Sequence, residues 1–283
     1  MMGEFVSQVG GDNISLTVLM PPEANPHTYD PSPQDATTIA EADLIFFTGL
    51  KYEPAPLLKL LESSACSPEV LAEVGESVFP VEFKEGGHDD EEEGHDDEEE
   101  GHDEHEGHGH GAYDPHFWFD PNRVSYAAEY IEGKLIQYDP TNEESYKSLT
   151  DTFTTELKGL VNEVIELIGM IPSGNRKLIT THESLGYLEA KFGLEVLATI
   201  IPSLDSSDEV SPSDLIEVIE VIEEEGVKVM FVESETPSVY AETLAQETGI
   251  TLVTGLYVET LKPNQSYSEF LISNVELIVN SLK

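Results

Sequence analysis

The chain has 283 residues, 39% of them hydrophobic, with 57 Asp/Glu against 13 Lys/Arg and a formal net charge of −44. That length supports two domains with their own cores, and no apolar run nears the roughly 18–20 residues of a membrane span. The charge argues against nucleic acid or an anionic membrane face as partner and suits a cationic ligand.

In chain order, the opening MMGEFVSQVGGDN shows no secretory signal pattern. Residues 12–20 (DNISLTVLM) alternate and are β-rich, which predicts a strand. PPEANPHTYDPSP follows, and its five prolines in thirteen residues forbid helix or central strand and impose a shaped loop. A short helix over 34–42, a buried strand over 43–48, a helix in the second half of 52–63 and mixed structure over 69–79 come next. The single Cys66 can form neither an internal disulfide nor a Cys-based zinc site.

Residues 81–111 carry fifteen acids and one Lys, leaving about −30 elsewhere, a value that a well-solvated or salt-adapted protein also carries. Within this stretch GHDDEEE repeats at 87–93 and 94–100, then degenerates into GHDEHEGHGHG. Such a tract cannot bury a core, so 86–111 is predicted to be a disordered surface loop. The clearest helix spans 140–170, where Tyr146, Leu149, Phe153, Leu157, Leu160, Val164 and Ile168 recur at spacings of three and four. Residues 143–168 would be roughly 40 Å long at about 1.5 Å per residue, which suits a connecting strut.

Beyond it, strands at 177–181, 195–201, 227–232 and 250–254 alternate with helices at 184–192, 213–225, 238–248 and 270–282. This α/β alternation predicts a mainly parallel sheet with helices on both faces. The first half reads similarly but lacks an initial strand, which suggests a trimmed start.

Nine histidines are present, six of them in the acidic tract: His88, His95, His102, His105, His108 and His110. The other three are His27 in the proline-rich loop, His116 in DPHFWFDP beside the only Trp, and His182 after the KLITT strand. His27 and His182 both follow strands, where ligands of open α/β sheets gather. Three imidazoles plus one carboxylate make a common tetrahedral zinc set. For the carboxylate, Glu259 in LYVETL, Glu233 at the end of VKVMFV and Glu53 in GLKYEP all compete. A hydrolase is disfavoured because neither HExxH nor GxSxG occurs.

Taken in order, VLMPPEANPHTYDPSPQD, EADLIFFTGLKYEP, YDPHFWFDP, TTHESLGYLEAKFGLEV, and VKVMFVESETPSVYAETLAQETGITLV followed by LYVETL resemble the metal-receptor proteins of zinc and manganese ABC importers. The resemblance implies two α/β lobes, each with a mainly parallel sheet flanked by helices, joined by one long rigid helix with the ion between them. It divides the chain into an N-terminal lobe over 1–140, a linking helix over 141–170 and a C-terminal lobe over 171–283. It carries metal ligation onto His27, His116 and His182, and onto Glu259 where the family usually has Asp. Some zinc-type members use a first-lobe glutamate, here Glu53. The implied cargo is Zn(II), with Mn(II) as the alternative, and the implied partner is a membrane permease. The implied location is extracytoplasmic and the implied state a monomer. A surface adhesin, a metal store or a zinc hydrolase are the remaining alternatives. The His-rich acidic tract resembles that of zinc-type receptors, and six imidazoles among carboxylates would raise the local cation concentration.

Overall fold

The computed structural model describes residues 1–22, 24–83, 113–236 and 239–283. The disordered loop expected over 86–111 lies outside them. The chain opens with α1 (Met2–Gly10), which places Phe5, Val6 and Val9 on one buried face. This helix was not anticipated, and it ends just before the segment expected to be the first strand. Gly11–Asn13 form a 3-10 turn, and no strand is assigned between there and Met20. The alternation of 12–20 is present, but it has no sheet partner to register against. Leu16 and Val18 are accordingly exposed, since alternation makes a strand only where a neighbour completes the ladder.

The rest of the first lobe is α2 (Pro33–Glu41), β1 (Ile45–Phe47), α3 (Ala55–Ser64) and β2 (Leu71–Glu73), with β1 and β2 paired in parallel. Helix α2 starts with a capping box, in which Ser32 and Asp35 satisfy each other's backbone N–H groups, and with Pro33 at the first helical position. Next comes α4 (Pro121–Tyr138), capped by Asp120. No element was expected there, although Val124, Ala127, Ala128, Ile131 and Leu135 form a buried stripe.

The expected strut is α5 (Glu143–Gly169), 27 residues long. Its buried positions Tyr146, Phe153, Leu157, Leu160, Val164 and Ile168 follow the predicted spacing. It packs on α1 and α4 on one side and reaches the second lobe on the other. That lobe comprises β3 (Lys177–His182), α6 (Gly186–Phe192), β4 (Glu195–Ile201), α7 (Pro212–Glu225), β5 (Val229–Glu233), α8 (Val239–Thr248), β6 (Thr251–Leu256) and α9 (Tyr267–Leu282), which packs on α5. Strands β3 and β4 pair in parallel, as do β5 and β6. Gly193 and Gly226 end α6 and α7 with φ of 72° and 65°, a left-handed conformation glycine adopts without a Cβ clash.

One hydrophobic cluster runs through both lobes, from Phe5 and Trp118 through the α5 stripe to Tyr267 and Phe270. A second, around Ile179, Ile200 and Met230, belongs to the C-terminal lobe alone. The architecture is therefore two α/β lobes with parallel strand pairs, bound by a long helix and a shared core. The site forms where the ends of β3 and β5 meet the first-lobe turns that carry His27 and His116.

Candidate metal centre

Three histidine side chains reach one point by three local devices. His27 sits in a 3-10 turn (Pro26–Thr28), where the Asn25 side chain accepts from His27 N at 2.9 Å. The neighbouring prolines fix the loop's path. His116 lies just before the 3-10 turn Phe117–Phe119. Asp114 Oδ1 accepts from its backbone N at 2.8 Å and stands 2.8 Å from its Nδ1. His182 is the last residue of β3, and Glu233, the last residue of β5, holds its Nδ1 at 2.5 Å through Oε2. A carboxylate on Nδ1 fixes the tautomer and turns the Nε2 lone pair toward the centre.

All three Nε2 atoms converge on Glu259 Oε1, at 3.2 Å from His27, 3.4 Å from His116 and 3.1 Å from His182. The four ligand atoms lie within 4.8 Å of one another, and all four residues are buried. Nε2 of His116, Nε2 of His182 and Oε2 of Glu259 are buried without a hydrogen-bond partner among the described residues. Buried polar atoms left so are costly, and here they face a common centre. A divalent cation with nitrogen and oxygen ligands would satisfy them together.

The electrostatics describe a site competing between protons and a cation. Burial pushes the His116 imidazole down, but the Glu259 charge and the Asp114 hydrogen bond outweigh it and raise its pKa to about 9. His182 is likewise raised well above the ordinary range, with Glu233 and Glu259 overcoming its burial. Burial alone would push the Glu259 carboxyl up, yet the His116 charge and its histidine neighbours hold it well below the usual range.

Of the competing carboxylates, Glu233 is occupied at the back of His182. Glu53 turns into its own loop, accepting from Thr48 N at 2.6 Å and Gly49 N at 2.8 Å. Its burial lifts its pKa to about 7 against those backbone hydrogen bonds. Residues that sequence reasoning missed include Asp114, whose signal was its place two residues before a histidine in DPH. Asp205 approaches His27 Nδ1 at 3.7 Å, beyond hydrogen-bonding distance. Across the lobes, Asn25 donates to Ser206 Oγ at 2.9 Å and Tyr187 Oη donates to the Asp114 carbonyl at 2.8 Å.

Fold and site together define a two-lobed metal-binding receptor. Residues 1–281 match the family described as "ZnuA: Zinc-uptake complex component A periplasmic", and the chain belongs to that family. It is similar to the "High-affinity zinc uptake system protein ZnuA" of Bacillus subtilis (strain 168), with 28% identity over 291 residues covering 99% of this chain and 85% of the relative. It is also similar to the "Manganese ABC transporter substrate-binding lipoprotein PsaA" of Streptococcus anginosus, with 25% identity over 290 residues covering 100% and 86%. Among solved structures, the periplasmic zinc binding protein TroA from Treponema pallidum superposes with a TM-score of 0.84 at 21% identity, covering 100% of this chain and 96% of that one. This last likeness concerns the fold. The chain is thus a metal-binding substrate receptor of the ABC-importer type and not an enzyme.

Proposed function

We propose that His27, His116, His182 and Glu259 ligate one Zn(II) ion as cargo, and that the protein delivers it outside the cytoplasmic membrane to the permease of an ABC importer. The observation that carries this reading is the convergence of three imidazole Nε2 atoms, at 3.1–3.4 Å, on one carboxylate oxygen. Three nitrogens and one oxygen suit tetrahedral zinc, whereas Mn(II) prefers more oxygen donors. The relative named for zinc uptake and the family description support the same metal. The periplasmic and lipoprotein relatives support the location. The protein acts as a monomer without nucleic acid, built as a lobe over 1–140, a linking helix over 141–170 and a lobe over 171–283. The acidic His-rich tract over 86–111 gathers cations rather than holding the cargo.

A manganese reading has one observation in its favour. Glu259 Oε2 is buried and unpartnered, so a second carboxylate oxygen is available to an ion that takes more oxygen ligands. Metal analysis of the purified protein, followed by competitive calorimetric titration with Zn(II) and Mn(II), decides between the two. Zinc should bind one site per chain and resist displacement by excess manganese. Displacement of zinc by equimolar manganese would overturn the zinc assignment.

A further inference from the structure

The segment that carries Glu259 has no secondary structure of its own. Strand β6 ends at Leu256, and the Leu256 carbonyl accepts from Ser234 N at 2.8 Å as the chain leaves the sheet. Strand pairing ends there, and side chains reach in to hold the backbone of the segment that follows. Asn274 serves Tyr257, accepting from its N at 3.0 Å and donating to its carbonyl at 2.6 Å. Trp118 Nε1 donates to the Val258 carbonyl at 2.8 Å, and Tyr52 Oη to the Glu259 carbonyl at 3.5 Å.

The next three N–H groups all go to one carboxylate. Glu235 Oε2 accepts from Val258 N at 3.3 Å, and Oε1 accepts from Glu259 N at 3.2 Å and Thr260 N at 3.1 Å. Thr260 Oγ1 adds a fourth donor at 3.4 Å. Three consecutive N–H groups aimed at one anion form a nest. Glu235 follows β5 by two residues, so this clamp fastens the end of one strand to the loop after its parallel neighbour.

We infer that Glu235 is a positioning residue for the metal site, whose carboxylate nest sets the backbone of Val258–Thr260 so that Glu259 Oε1 meets the three histidine Nε2 atoms. The inference rests on the metal-binding reading above. The chemistry favours a side chain of this length and acceptor number. A glutamine keeps the length and can keep Oε1 on Glu259 N and Thr260 N, losing only the Val258 contact. An alanine leaves all three N–H groups without their acceptor. An aspartate keeps the charge but is one methylene short of the nest.

The test compares wild type with Glu235→Gln, Glu235→Asp and Glu235→Ala, all as full chains. Zinc affinity is measured by chelator competition, and the geometry of the bound ion by the visible absorption of Co(II) in the same site. Alanine should weaken zinc by about 10–100-fold, the range typical of groups that orient metal ligands, and should alter the Co(II) spectrum. Glutamine should restore most of the affinity and the wild-type spectrum. Aspartate should do worse than glutamine, a comparison that stands even if the alanine variant does not fold. Wild-type affinity and an unchanged Co(II) spectrum in the alanine or aspartate variant would overturn the inference, as would a glutamine variant no better than aspartate. A wild type that binds no zinc tightly would instead overturn the function on which it rests.

Discussion

Metal capture at this site should be strongly coupled to proton release. In the metal-free protein His116 has a pKa of about 9, and His182 is raised well above its ordinary value. Both imidazoles are therefore protonated near neutral pH, and both must lose a proton to offer Nε2 to a cation. Each displaced proton costs a factor of ten in affinity per pH step below its pKa, so log K should rise with pH through neutrality by at least about one per pH step from His116, with His182 steepening the rise. At pH 7 the His116 proton alone costs on the order of 100-fold. The stability of the metal-free protein moves the other way. A histidine with a raised folded pKa contributes stability that is full below its unfolded value of 6.5 and lost as pH rises through about 9. For His116 that contribution is about 3 kcal/mol. Calorimetry in buffers of different ionisation enthalpy counts the protons released, and melting curves with and without zinc follow the stability. The expected result is about two protons released per zinc at pH 7, with the metal-free protein less stable at pH 9.5 than at pH 6. A proton count near zero would refute this account of the site.

Replacing His182 with alanine removes one ligand, and zinc affinity by chelator competition should fall by at least about 100-fold. Asp114→Asn keeps the shape behind His116 but not the charge, and should cost about 10–100-fold in zinc affinity with the fold retained by circular dichroism. Zinc at 100 times its dissociation constant should stabilise the wild type by about 2.7 kcal/mol, and EDTA should reverse the shift in Tm. Deleting residues 86–111 should leave one tight zinc site in a calorimetric titration and abolish the weaker ones; loss of the tight site would place it in the tract.

The C-terminal half was the more legible in sequence. Its strands alternate regularly with helices that end at glycines, so local pattern and tertiary setting agree, and the element bounds moved by only a few residues. Residues 12–20 show the limit of that logic. Their alternation is a genuine β signal, but a strand exists only with a neighbour, and pairing is not written in the segment itself. Helix α4 was missed for a different reason. The DPHFWFDPNR motif drew attention to its chemistry, while the stripe from Val124 to Leu135 begins just beyond it. At the site, each histidine was visible because proline or strand-end context marked it. Of the supporting carboxylates, Glu233 was marked only as a competing ligand and Glu235 not at all, since they are two of 57 acids and their roles depend on contacts across strands or loops.

The arrangement also favours cargo over catalysis on physical grounds. A catalytic zinc keeps an open coordination position for water. Here three imidazoles and a carboxylate converge on one point and could supply all four ligands, with His116 and His182 fully buried and Glu259 nearly so. Release must then come from moving a ligand rather than from exchanging a water. The shared core between the lobes, including Phe5, Trp118, Tyr146 and Phe270, resists wide opening, because separating it would expose large aromatic side chains at about 1.5–3 kcal/mol each. Smaller steps are available at the loops that carry His27 and Glu259. Both lie outside helix and strand cores and are tied across the cleft by a few hydrogen bonds, Asn25 to Ser206 and Thr236, and Trp118 and Tyr52 to the Val258 and Glu259 carbonyls. Crystal structures with and without zinc should therefore differ mainly in these two loops, with α5 and the core packed against it unchanged; a rigid-body separation of the lobes would contradict the packing argument.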